Sequence, residues 1–264
     1  GGSDGPTDNN GNGSKEHPFQ TIKAALAKCT SGNDDYIYVM NYGSNARAVE
    51  DWPILVTKDQ VHIMGVRATN ASKWATVTSG TAGANAFTVS GQRCEFANLE
   101  IGGATTGVGI QIANGVWGTF IHDCWFGIAD GVGASGVYVA AGADAPYLRI
   151  EDCEFGAALT VDGILCAGNM TRGTIRGNQF NRIVGIAINV TGSAVGIKIL
   201  ANIFNMAAQT AGDAITLATG SSACIIHNNH AMYGKATDAT KYWVYAGSSN
   251  DFGWNTVNGV LLQC

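Results

Sequence analysis

The sequence predicts an all-β chain wound into a parallel solenoid, with one short helix near its start. Three observations predict it. A six-residue pattern recurs as IHDCWF at 121–126, IEDCEF at 150–155, IRGNQF at 175–180 and ILANIF at 199–204. Weaker copies stand at 226–231 and 96–101, so its last position recurs every 24 to 29 residues. Between the copies lies a second pattern, small–apolar–any–apolar, beginning at Ala86, Gly109, Gly136, Gly163, Gly185 and Ala214, with a further copy at 243–246. The third observation is composition: 36 Gly, 4 Pro and 13% charged residues in 264. Interior Gly costs a helix about 1 kcal/mol each, so long helices are disfavoured.

Two short patterns alternating at this period read as two or three strands per coil, joined by Gly/Asn/Asp turns. One coil cannot bury its own apolar face, whereas stacked coils share a core and pair backbone from rung to rung. The period is too short for a propeller blade or a helical pair, and the leucine-rich pattern does not fit. In order along the chain, residues 1–17 form a Gly/Asn/Asp-rich arm, expected to be flexible. Residues 18–264 form one domain that opens with a helix over about 18–28. Pro18 suits an early helical position, and Phe19, Ile22 and Leu26 share one face. Residues 34–40 then read as the first strand.

Stacking turns equivalent residues into columns. Phe126, Phe155, Phe180 and Phe204 form an interior aromatic column. Cys124, Cys153, Asn178, Asn202 and Asn229 form a second, in which Asn side chains bond one another along the axis. These columns resemble those of right-handed parallel β-helices of the pectate-lyase-like superfamily, over about residues 55–262. The opening D-G…P-F-x-T-I-x-x-A-L…I-x-V resembles that of secreted and phage β-helix proteins. The resemblance implies a single-stranded right-handed parallel β-helix whose N-terminal helix plugs the open end.

Charge narrows the partners. The net charge is −5, which disfavours nucleic acid because that ligand needs a clustered basic face. No apolar run approaches the roughly 18 residues of a spanning helix, so no membrane segment is expected. The polar start does not read as a signal peptide. Seven cysteines without C-x-x-C spacing read as buried apolar residues, and no zinc site is expected. Cys124 and Cys153 are stacked neighbours; two inert thiols are favoured over a disulfide.

The strongest acidic cluster is Asp123, Asp130, Asp152, Glu154 and Asp162. Asp123 and Asp152 are repeat-equivalent, about 4.8 Å apart along the axis, and with Glu154 are the catalytic candidates for acid–base glycoside cleavage. The plainer reading extends the ladder and caps turns. In lyases of the resembled superfamily carboxylates hold Ca²⁺ and an Arg is the base; Arg149, Arg172 and Arg176 sit in no recognisable lyase motif. Asp4, Asp8, Asn10 and Asn12 could offer oxygen ligands to Ca²⁺, but no cofactor is expected. His122 and His227 share a column with Glu151, Arg176 and Leu200, read as a solvated stripe.

One outward column, Gln111, Tyr138, Leu165, Ala187, Thr216 and Tyr245, carries no charge. Tyr138, Leu165 and Tyr245 are therefore candidates for contact with another subunit or a glycan. Trp125, outward in another column, could stack on a sugar. Three functions compete. The first is a non-enzymatic structural protein of a virion surface, a capsid decoration or tail-associated homotrimer touching other virion proteins. The second is a tailspike-like lyase or hydrolase acting on an acidic polysaccharide. The third is an extracellular glycan-binding adhesin without turnover. The fold alone does not choose among them.

Overall fold

The computed structural model describes all residues except 1–11, 41–49, 67–74, 128–132, 207–212, 233–242, 246–247, 258–259 and 263–264. The chain is a right-handed parallel β-helix with three long sheets. Sheet 1 has eight strands, from Ile54–Val56 to Trp243–Tyr245; sheet 2 has nine, from Asp35–Val39 to Asp251–Gly253. Sheet 3 also has nine, starting at Ala75–Thr78 and ending with Asn255–Val257 and the antiparallel Val260–Leu262. A minor pair, Met170–Thr171 with Ala194–Val195, lies in the turns. No described helix is long and apolar enough to cross a membrane.

The N-terminal helix spans Ile22–Lys28, shorter than the 18–28 expected. Thr21 is its N-cap, accepting from the Ala24 backbone N–H at 3.1 Å, so Pro18 lies before the helix. Glu50 adds a second set of bonds, accepting from the Ile22 and Lys23 backbone N–H groups at 2.9 and 3.2 Å. Ile22 and Leu26 are buried against the first coil. The helix thus covers core and edge that the terminal coil would otherwise expose.

Alternation fixes what each strand buries. In sheet 3, Phe126, Phe155, Phe180 and Phe204 are in register and fully buried. Their rings stack at 4.9, 4.7 and 5.0 Å with interplanar angles of 11°, 8° and 9°. Each such pair adds about 0.5–1.5 kcal/mol beyond its area. The small residue of the second pattern has its cause here. A Cβ on Gly136 would stand 2.7 Å from the Phe155 ring, and one on Gly163 2.8 Å from that of Phe180.

Two positions of the uncharged column on sheet 1 differ from expectation. Ile164 pairs with Ile188 and Leu165 with Asn189, so Asn189 holds the outward place and Ala187 is fully buried. Asp162 Oδ1 accepts the Ile186 backbone N–H at 2.7 Å, and Gly185 N–H bonds Val161 O at 2.7 Å. Residues 185–186 are thereby consumed by the turn and the strand starts later. Further along, Thr216 pairs with Val244 and Leu217 with Tyr245. Tyr245 is therefore not the backbone partner of Thr216, and its side chain lies outside the described residues.

Candidate functional site

The site grows from the tight turn between sheets 2 and 3. Its first residue takes a left-handed conformation in seven successive coils: Asn98, Asp123, Asp152, Gly177, Ala201, Asn228 and Trp254 have φ between 48° and 69°. Such a φ costs a non-Gly residue about 1 kcal/mol or more. Rung-to-rung bonds hold it, as from Asp152 N–H to Arg176 O at 2.9 Å and from Ala201 N–H to His227 O at 3.1 Å. The turn throws this residue outward and the next one inward. Asp123 and Asp152 therefore precede the ladder and do not extend it.

The inward residues satisfy one another. Asn178 donates its backbone N–H and Nδ2 to Asn202 Oδ1, both at 3.0 Å, and Nδ2 also reaches Ile150 O at 2.9 Å. Asn202 treats Asn229 in the same way, and Asn229 treats Asn255. The ladder thus runs one rung beyond the expected Asn229. Toward the N-terminus the Cys153 backbone N–H donates to Asn178 Oδ1 at 2.9 Å. Cys153 and Cys124 are free thiols. Their Sγ atoms reach Ile121 O at 3.7 Å and Phe96 O at 3.5 Å, the contact that Nδ2 makes elsewhere. Burial raises the Cys153 thiol well above its ordinary range, reinforced by Cys124 beside it.

Over this ladder lies a cleft of about 280 Å³ lined by Cys124, Trp125, Asp152, Cys153, Glu154, Gly177 and Gln179. Trp125, Glu154 and Gln179 are consecutive rungs of one outward column of sheet 3. Asp152 and Glu154 are exposed, and Asn181 Nδ2 donates to Glu154 Oε1 at 2.8 Å. The half-buried Trp125 indole leans toward Gly156; its Nε1 is buried and has no hydrogen-bond partner among the described residues. The cleft thus offers an aromatic ring, two carboxylates and an amide at one opening. Asp123 does not line it. It turns to His122 Nδ1 at 2.7 Å, so the pair at the cleft is Asp152 and Glu154.

The outer face of sheet 2 is more structured than a solvated stripe. His62 and His122 both bond Glu95, the latter at 2.8 Å, and Asp34 and Asp123 flank them at 3.4 and 2.7 Å. Burial alone would raise the Glu95 carboxyl, but the His122 and His62 bonds outweigh it and hold it below the usual range. Glu151 is buried, because Arg149 Nε and Arg176 Nη2 clamp its two oxygens at 2.9 and 2.8 Å. Burial opposes ionisation there too, and the two guanidinium groups outweigh it. Arg149 and Arg176 are thus ion-pair partners, and Arg172 bonds Tyr147 Oη at 2.8 Å. Sequence reasoning did not find Glu95 as the shared partner of His62 and His122; His62 stands opposite Glu95 and Glu95 opposite Phe120, in the outward column beside that of His122.

On sheet 1, Asp162 is buried and structural: Oδ2 accepts Asn189 Nδ2 at 2.9 Å, and burial pushes its carboxyl up. Tyr138, Leu165, Asn189 and Thr216 are half-buried outward neighbours there. Asp4, Asp8, Asn10 and Asp130 lie outside the described residues. Asn12 Oδ1 accepts the Ser14 backbone N–H at 2.9 Å. Among the described residues no group of three or more His, Cys, Asp or Glu is arranged to hold a metal ion.

No family model matches the sequence, and no curated protein matches it. Among solved structures the chain is similar to a pectin methylesterase variant in complex with a hexasaccharide, at 11% identity and a TM-score of 0.50. The match covers 95% of this chain and 89% of that one. At this identity the similarity shows the fold alone, a parallel β-helix.

Proposed function

We propose that this chain is a carbohydrate-active β-helix whose glycan site is the cleft of Trp125, Asp152, Glu154 and Gln179. One observation carries the reading: the cleft joins the Trp125 indole to two exposed carboxylates and an amide. Rings stack on the apolar faces of sugars, while carboxylates and amides take their hydroxyls. Two carboxylates on one cleft are also the groups that acid–base glycoside cleavage uses. That a β-helix of similar fold is a pectin methylesterase agrees with the reading without carrying it.

The test is binding and turnover on a broad glycan panel. Trp125→Ala is expected to weaken binding at least tenfold. Release of reducing ends or unsaturated sugars, abolished in Glu154→Gln, assigns an enzyme. Binding without release assigns an adhesin. Neither binding nor release across the panel overturns the reading.

A second reading, a structural homotrimer on a virion surface, is favoured by the uncharged face of sheet 1. Six successive outward positions there, Thr88, Gln111, Tyr138, Leu165, Asn189 and Thr216, carry no charge. Light scattering tests it: a trimer lost in Tyr138→Lys supports it, and a monodisperse monomer rejects it.

A further inference from the structure

The charge of the cleft selects among glycans. The outward column of sheet 3 reads Thr76, Glu100, Trp125, Glu154, Gln179, Ile203, His230 and Thr256 along the solenoid. The turn column beside it reads Asn98, Asp123, Asp152, Gly177, Ala201, Asn228 and Trp254. Together they hold four acids and no Lys or Arg. Glu100 is buried and accepts from Thr76 Oγ1 at 2.8 Å, and Asp123 is engaged by His122. Asp152 and Glu154 form no ion pair among the described residues.

Cations do occur close by in sequence. Arg149 and Arg176 project from sheet 2, and both are spent on Glu151. Arg182 follows the strand Gln179–Asn181 and does not line the cleft. A ligand in the cleft therefore meets the field of two carboxylates with no cation among the lining residues.

We infer that the cleft takes uncharged or amine-bearing glycans and rejects polyuronates. This rests on the cleft being the glycan site, and it replaces the acidic polysaccharide expected from sequence. A glycan carboxylate laid over Trp125 would meet Asp152 and Glu154 at short range without a counter-ion, and specificity of this kind arises from such repulsion. A sugar ammonium would find two carboxylates that form no ion pair among the described residues, and a neutral sugar would keep its hydroxyl bonds to them. Glu154 and Asp152 are thereby specificity-determining residues whatever their part in turnover.

The experiment is calorimetric titration of the full chain with three oligosaccharides of matched length: a neutral glucan, a glucosamine oligomer and a galacturonan. At low salt the glucosamine and neutral oligomers are expected to bind, and the galacturonan on the order of tenfold more weakly or worse. Raising ionic strength should narrow that gap, because exposed charges are screened. The double variant D152N/E154Q should close it, while its unchanged melting temperature shows that it still folds. Galacturonan binding as tight as the neutral oligomer, and lost in Trp125→Ala, overturns this specificity and leaves the cleft as the glycan site. Absence of binding by all three overturns both.

Discussion

The Asp152 carboxylate lies across Gly177, the residue that follows it by one rung in the left-handed turn column. A Cβ on Gly177 would collide with Asp152 Oδ1. The column tolerates a side chain in this conformation elsewhere: Ala201 adopts φ 53° and Asn228 φ 56°. What is particular to Gly177 is therefore the room it leaves. An absent side chain on one coil places the carboxylate of the coil before it at the mouth of the cleft.

Gly177→Ala is accordingly expected to act on Asp152 more than on the backbone. The left-handed φ costs a Cβ-bearing residue about 1 kcal/mol, a shift of a few degrees in melting temperature. Glycan affinity should fall by more than that strain accounts for. On an Asp152→Ala background the same substitution should have only the backbone cost, and the double-mutant cycle isolates the difference. Additive effects in that cycle would show that the two residues do not interact.

The Asn ladder gives a graded prediction. Asn202→Ala removes the acceptor for two donors of Asn178 and the donor to Ile175 O at 3.0 Å. Each buried group left without a partner costs about 1–3 kcal/mol, and the sum is severe for a chain of marginal stability. Asn202→Cys should be milder, because Cys124 and Cys153 occupy the same column and their Sγ atoms reach the carbonyls that Nδ2 reaches elsewhere. Urea midpoints in the order wild type, Cys variant, Ala variant are the expected result.

How far these relationships were legible in sequence depended on how each residue advertises itself. The Phe stack and the ladder repeat one residue type at one offset, so columns could be read directly. Asn255 was missed because the copy around it has Trp254 where the others carry Asp, Gly, Ala or Asn, and Val257 where four of them end in Phe. The slip at 185–190 has another cause. Gly185-Ile186-Ala187-Ile188 and Ala187-Ile188-Asn189-Val190 both fit small–apolar–any–apolar, and only the Asp162 bond to Ile186 N–H decides between them. The cleft brings together residues from three coils, and the pairing of Asp152 with Glu154 instead of Asp123 followed from side-chain direction at the turn. No periodicity encodes that.

Glu151 sets the response to acid. Its carboxyl is lowered from an ordinary value of 4.5. A group held lower in the folded state stabilises that state above the unfolded value, and the contribution fades as pH falls through the folded one. Stability should therefore be flat from neutrality to about pH 5 and decline below it. Glu151→Gln, which cannot ionise, should lower stability at pH 7 and flatten the acid decline. Urea midpoints between pH 7 and pH 3 measure both, and an unchanged slope in the variant would remove Glu151 from the account.

The thiols report whether the ladder and core stay closed. Burial pushes Cys166 up to about 12, and it raises Cys153, Cys94, Cys224 and Cys29 in the same direction. Only the thiolate attacks an alkylating reagent, so a thiol pushed this high is almost wholly protonated at pH 8 and also hidden. Native protein treated with iodoacetamide at that pH should retain Cys153 and Cys166 unlabelled, while denatured protein labels at every position. Cys29 ends the capping helix, where opening costs least, so it should react first among these five. Peptide mapping after a timed pulse gives the order. Labelling of Cys153 as fast as Cys29 would mean that the rung beneath the cleft opens as readily as the cap, and the rigid floor on which Asp152 and Glu154 stand would be lost.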